Sequence, residues 1–153
     1  MAGPIPTSIV DALIGYPEVG VPDVIIPLLT VDESGYPHVC LLSRAELDAD
    51  TNYIYAVVAS PVSKSNIFRD RRATLVVFTA RSAYYSKLDA DLIKEDGQLL
   101  GIVFSLHSMK QDGDESFHME APHYLPTDEI ATMEHWDRTR SFLRELHPLH
   151  TEE

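Results

Sequence analysis

The sequence predicts a mainly β chain, an antiparallel barrel or sandwich with flanking helices. Three observations carry this. Short, β-branched segments recur about seven times with turn signals every ~8–12 residues. Strand-like and helix-like segments do not alternate, which argues against a parallel sheet. The 153 residues, 44% hydrophobic and 24% charged, suit one ordinary domain that buries its own core, so residues 1–153 are taken as a single domain.

Each element has a local reason. Thr7 to Gly15 predicts a short helix: Thr7 or Ser8 caps it, Ile9, Val10, Leu13 and Ile14 form its apolar face, and Gly15 ends it. Val24 to Val31 predicts a strand that Pro27 places at an edge or bulge. Asp32-Glu33-Ser34-Gly35 is a turn, and Pro37 to Glu46 returns as the hairpin partner. A second turn at Asp48–Asn52 leads into a strand over Tyr53–Ala59, with Tyr53, Tyr55 and Val57 on one face. After Ser60-Pro61-Val62-Ser63, Lys64 to Arg71 predicts a two-turn helix and Thr74 to Thr79 a strand. Tyr84 to Lys94 alternates, with Ser86, Leu88, Ala90 and Leu92 on one face and Lys87, Asp89 and Asp91 on the other. Asp96-Gly97 signals a tight hairpin to Gln98–His107. A turn over Lys110–Glu115 and a short strand over Phe117–Ala121 follow. A C-terminal helix is expected over about residues 127–147, capped by Thr127, with Asp128 and Glu129 at its positive end and Pro148 as its stop.

Twelve Lys and Arg face 24 Asp and Glu, a net charge of −12. Nucleic acid and anionic membranes are disfavoured as partners, because both are bound mainly through cations. The single cysteine, Cys40, excludes an internal disulfide, and residues 1–10 carry no basic, apolar leader. Apolar runs such as Val24–Leu29 and Leu99–Leu106 are too short to span a bilayer. A soluble cytoplasmic protein is the expectation. The charge is uneven, however. Between Lys64 and Arg81 five cations (Lys64, Arg69, Arg71, Arg72, Arg81) face one acid, Asp70, a net of +4 that leaves −16 on the rest. Ser60, Ser63, Lys64, Ser65 and Asn66 lie where a strand passes into a helix, and free N–H groups at such a helix start suit a small phosphate.

Three stretches carry a resemblance. They are Gly35-Tyr-Pro37-His38-Val-Cys-Leu-Leu, Tyr53-Ile-Tyr-Ala-Val-Val-Ala-Ser-Pro-Val-Ser63-Lys64-Ser-Asn66-Ile, and Arg69-Asp-Arg-Arg-Ala-Thr-Leu-Val-Val-Phe. In order and spacing they resemble the pyridoxamine 5′-phosphate oxidase-like, FMN-binding split β-barrel superfamily. The resemblance covers roughly Leu13 to Thr79, continues through the Tyr84–His107 hairpin, and stops near Gln111. It implies an antiparallel split β-barrel, a homodimer, and a flavin-type cofactor that performs redox chemistry on a small-molecule substrate with no catalytic side chain. FMN is the cofactor implied, with the deazaflavin F420 or haem as alternatives found among relatives. Non-enzymatic flavin or haem carriers or sensors and cofactor-free members are the alternative functions.

Residue by residue, the resemblance places Lys64 at the family's phosphate-binding lysine, while Ser63 and His38 stand where arginines are usual. Val58 and Val62 stand where hydroxyl residues are usual. One of the four recognisable ligands is therefore retained outright. The cofactor-binding candidates are His38, Ser60, Ser63, Lys64, Ser65, Arg69 and Arg81. No Arg-x-His motif occurs near the C-terminus, so pyridoxamine phosphate oxidation itself is not expected.

Other clusters read as structural. Asp48-x-Asp50-x-Asn52 begins like a calcium loop but has Tyr53 where glycine is needed and Ala59 where glutamate is needed. His118-Met-Glu120-Ala-Pro-His123 reads as exposed polar residues rather than a metal site, and Cys40 as a buried small side chain. Tyr84-Tyr85 reads as strand packing rather than flavin stacking.

Overall fold

The computed structural model describes residues 3–114, 116 and 118–149. Helix α1 (Thr7–Leu13) precedes β1 (Asp23–Val24), β2 (Ile26–Val31), β3 (Pro37–Leu42), β4 (Leu47–Ala49) and β5 (Ile54–Val58). Then come α2 (Pro61–Asp70), β6 (Arg72–Phe78), β7 (Ala83–Asp96), β8 (Leu99–Asp112), β9 (His123–Tyr124), α3 (Asp128–Met133) and α4 (Trp136–Leu149). Seven strands form one curled half-barrel sheet in the order β3-β2-β6-β7-β8-β5-β4, and β1 pairs separately with β9. All pairings are antiparallel.

The turns follow from their residues. Asp32 Oδ1 accepts from the Ser34 and Tyr36 N–H groups, both at 2.9 Å, and closes the β2–β3 hairpin. Gly97, at φ 63°, begins the two-residue loop between paired Asp96 and Leu99. The β7–β8 hairpin has 14-residue arms and is irregular between Lys87 and Leu88 and between Ala90 and Leu92. Each irregularity slips the register, and a slip changes which face a side chain takes. Leu88, Ala90 and Ile93 therefore face the barrel core with Leu28, Leu75, Leu100, Ile102 and Phe104. Leu92 faces outward and joins Tyr55, Val57, Leu99 and Val103 under Phe142, Leu143 and Leu146 of α4. Strand β5 is thus buried along its whole length.

Several expectations are corrected. Pro27 is not on an edge: β2 lies between β3 and β6, and β6 pairs only with Leu28 and Leu29, so Pro27 falls outside that ladder. The mid-chain helix starts at Pro61 rather than Lys64, because Ser60 Oγ accepts from Ser63 N–H at 3.3 Å and proline is favoured in a first turn. Helix α1 is capped by Pro6, without a side-chain bond. Leu92 leaves the face of Ser86, Leu88 and Ala90 because of the register slip at Asp91. Residues 110–112 extend β8, and β4 occupies part of the expected second turn. The strand expected over 117–121 is absent from the described residues there, Phe117 lying outside them; β9 comes later.

The helix expected over 127–147 is two helices. Thr127 Oγ accepts from Ile130 N–H at 3.2 Å and caps α3 as expected. The chain then breaks at Glu134–His135, where His135 has φ 52°. The break lets Trp136 bury itself edge-on to Tyr16, ring centroids 5.6 Å apart, while its Nε1 donates to Glu134 Oε2 at 3.2 Å. Pro148 does not stop α4, whose backbone runs to Leu149. The expected tail beyond it lies outside the described residues.

Gly101 shows how tightly α4 is seated. A Cβ there would lie 2.7 Å from the Phe142 ring and 2.9 Å from Leu146. Gly101→Ala is expected to destabilise the protein by about 1–3 kcal/mol in urea unfolding, as overpacking does.

Candidate functional site

A groove of about 750 Å³ opens on the outer sheet face, across β2, β6, β7 and the irregular part of β8. Leu29 and Val31 give it apolar wall; Arg69, Arg72, Lys87 and His107 supply basic groups, and Asp70 and Asp89 supply acids. Register explains the grouping. Thr74 pairs with Lys87 and Arg72 with Asp89, so their side chains share one face. His107 is the extra residue where Lys87 pairs with Ser108 and Leu88 with Leu106. Arg69 reaches in from α2, bonding Val31 O, Asn66 Oδ1 at 3.2 Å and Asp70 Oδ2 at 3.1 Å. His107 Nδ1 stands 3.5 Å from Asp89 Oδ2. Among the described residues the Arg72 and Lys87 side chains have no hydrogen bond or ion pair. Two unpaired cations above apolar wall suit an amphipathic anion.

The seven sequence candidates are dispersed. Arg69 lines the groove. Ser60, Ser63, Lys64 and Ser65 sit together at the start of α2. Ser60 caps the helix, and Ser63 is fully buried with its Oγ unpartnered beside the Cys40 thiol. Lys64 Nζ donates to Gln98 O at 2.6 Å, pointing to the β7–β8 turn, and Ser65 is exposed. His38 is half-buried on β3 opposite Thr30, whose hydroxyl accepts from Asn66 Nδ2 at 3.0 Å. Arg81 lines a different hollow with Ser82, Tyr84 and Gln111. The first-turn amides of α2 are mostly engaged: Pro61 has no N–H, Ser63 N–H goes to Ser60 Oγ, and Lys64 N–H to Ser60 O. Lys87, His107, Thr74 and Leu29 were not singled out in the sequence. The one usable signal was the alternation that set Lys87 and Asp89 on a common face.

Other flagged residues fall where packing puts them. Burial pushes the half-buried Cys40 thiol upward in pKa, which keeps it a thiol. Tyr84 packs on the core, while Tyr85 OH donates to Asp112 Oδ2 at 2.8 Å. Among the described residues no three His, Cys, Asp or Glu side chains are grouped to hold a metal.

No protein-family model matches the chain, and no curated protein matches its sequence. Solved structures do. An F420 reductase superposes with TM-score 0.54 at 13% identity, over 69% of this chain and 98% of that one. An FMN-binding protein from Syntrophomonas wolfei subsp. wolfei gives 0.53 at 11%, over 70% and 83%. Nitrilotriacetate monooxygenase component B from Mycobacterium thermoresistibile gives 0.51 at 8%, over 69% and 77%. The fold is the split β-barrel. In this split barrel the covering helix α4 takes one end of the outer face, and the groove lies over β2, β6 and the first part of β7.

The largest carboxyl shift lies elsewhere in the split barrel. Burial, then the charge of Glu134, push Glu46 from 4.5 up to about 7, although Ser43 Oγ donates to its carboxylate at 2.9 Å. The folded chain therefore keeps this proton where the unfolded chain has released it, and stability falls as pH rises from about 4.5 to 7. Glu46→Gln should remove that fall, gaining on the order of 2–3 kcal/mol over the parent between pH 5 and pH 8. Urea unfolding at the two pH values checks it.

Proposed function

We propose that this chain is a flavin-type cofactor-binding oxidoreductase acting on a small molecule, its cofactor seated in the outer-face groove. The observation that carries the reading is the pair of unpaired cations, Arg72 and Lys87, beside Leu29 and Val31 on this particular fold. A phosphate monoester needs several charge-assisted donors to offset its desolvation. Arg72 and Lys87 supply them in the groove, with Arg69 Nη1 beside them, whereas the start of α2 has mainly the Val62 N–H, Lys64 and Ser65 left to give. FMN, with its single phosphate, is the proposed form, and F420 the alternative. Leu29 and Val31 would shield part of a planar ring from water, and Arg72 and Lys87 would hold the anionic end. When bound, the flavin supplies the hydride or electron chemistry.

A homodimer belongs to the same proposal. The outward side chains Val31, Val39 and Leu41 on neighbouring β2 and β3 are 48%, 52% and 62% exposed, and such a strip on an edge strand favours a protein partner. No helix among the described residues is long and apolar enough to cross a membrane. A cytoplasmic location remains part of the proposal.

Flavin titration of the purified chain tests the reading. FMN or F420 should bind with quenched flavin fluorescence and raise the melting temperature. Arg72→Ala and Lys87→Ala should each weaken binding about tenfold, the scale of one charged hydrogen bond, and Lys64→Ala by less than about twofold. A loss with Lys64→Ala as large as with Arg72→Ala would move the site to the start of α2. A colourless protein indifferent to both cofactors would sink the proposal, and a Soret band would replace flavin by haem.

A further inference from the structure

We propose that a second cleft, between α4 and the Gly15–Tyr16 and Leu47–Asp48 segments, is a binding site for a small oxyanion, the phosphate or carboxylate of a metabolite-sized ligand. The cleft holds about 250 Å³ and shares no lining residue with the groove. Arg140 and Arg144 line it from α4, four residues apart and so on one helix face. Neither has a hydrogen bond or ion pair among the described residues, in a chain with twice as many acids as bases. Arg140 is also held in place, its guanidinium carbon 4.5 Å from the Tyr16 ring centroid.

Tyr16 supplies the second, independent observation. Its hydroxyl is buried without a partner, which is costly for a polar group that has nothing to bond. Burial raises its pKa, so it stays protonated and remains a donor. A tetrahedral or planar oxyanion accepting from Arg140 and Arg144 would satisfy both, since guanidinium forks match such oxygens, and a shift of the Tyr16 ring that opens its hydroxyl to the cleft would add a third donor.

The remaining charges are accounted for. Arg44 also lines the cleft, but Nε and Nη2 bond Asp23 at 2.9 and 2.7 Å and Nη1 bonds Ile14 O at 2.8 Å. It is a wall, with its charge matched by Asp23. Asp48 is the acid in the lining, and it is bonded to His147 Nε2 at 2.7 Å. Asp137, one turn before Arg140, is the acid whose charge acts on Tyr16. The cleft lining thus carries two guanidinium groups without an ion pair and one carboxylate, Asp48, that His147 hydrogen-bonds.

Trp136 is the only tryptophan and stacks edge-on against Tyr16, so its emission reports on the cleft. The full chain is titrated with inorganic phosphate and, separately, succinate, against sodium chloride of equal ionic strength. Saturable changes in Trp136 emission and in melting temperature are expected with at least one anion, and the tighter one names the ligand class. Arg140→Gln and Arg144→Gln should each weaken binding about tenfold, and Tyr16→Phe several-fold with its ring retained. Arg138→Gln, the same charge change on a side chain that bonds Asp96 O at 2.8 Å, should leave binding unchanged. No saturable response to either anion beyond the chloride control, or equal losses with Arg138→Gln and Arg144→Gln, would overturn the proposal.

Discussion

Phe142, Leu143 and Leu146 of α4 pack on Tyr55, Val57, Leu92, Leu99 and Val103, and this contact sets the division of the whole outer face. A seven-stranded sheet has two faces to keep from water. The concave face closes on itself around Leu28, Leu75, Ile102 and Phe104. The convex face is covered only where α4 reaches, over β5, β8 and the end of β7. For β7 to serve both halves, its outward residues must change character along its length. The slip at Asp91 does this: Lys87 and Asp89 stand outward before it, and Leu92 stands outward after it. The same strand therefore supplies a charged groove wall at one end and a hydrophobic helix seat at the other.

The basic segment from Lys64 to Arg81 is divided in the same way. In sequence it is one island; in space Lys64 and Arg69 are five residues, about 7.5 Å of rise and roughly 140° of turn, apart on α2, so Lys64 reaches the β7–β8 turn while Arg69 reaches the groove. Arg71 ends that helix in the left-handed conformation, at φ 55°, and its N–H bonds Ile67 O at 2.8 Å. That reversal starts β6 with Arg72 pointing outward beside Arg69. The turn after β6 then takes Arg81 to another hollow. Local charge density along a chain is thus a poor guide to charge density in space unless the reversals are known.

The sheet was largely legible because its signals are local. Asp32-to-Gly35, Asp96-Gly97 and the β-branched runs mark turns and strands within a few residues, and Thr127 and Ser60 are caps by side-chain chemistry. What stayed hidden depends on distant partners. The slip at Asp91 is invisible in a clean alternation, because it is set by the partner strand β8. The break at His135 is set by burial of Trp136 against Tyr16, 120 residues earlier in the chain. Site residues divide similarly. Arg69 was legible from the charged island, and Lys87 only as one member of an outward face. Their meeting with His107 needs the β6–β7–β8 register, which no spacing within one strand specifies.

A net charge of −12 makes unpaired cations informative rather than incidental. With acids in twofold excess, a surface arginine that needs only a counter-ion has many to choose from. Arg44 takes Asp23, Arg138 takes Asp96, and Lys94 takes Glu145. Arg72 and Lys87 in one concavity, and Arg140 and Arg144 in another, make no ion pair among the described residues. The acids that line these hollows are turned to other partners: Asp70 to Arg69, Asp89 to His107, and Asp48 to His147. Surrounding negative charge repels anions at long range, so capture must rest on short, directed bonds from several donors that converge on one anion. Concave hollows with forked or flexible donors and their own acids already engaged meet that condition, whereas an open basic patch of equal charge would be neutralised by the field around it.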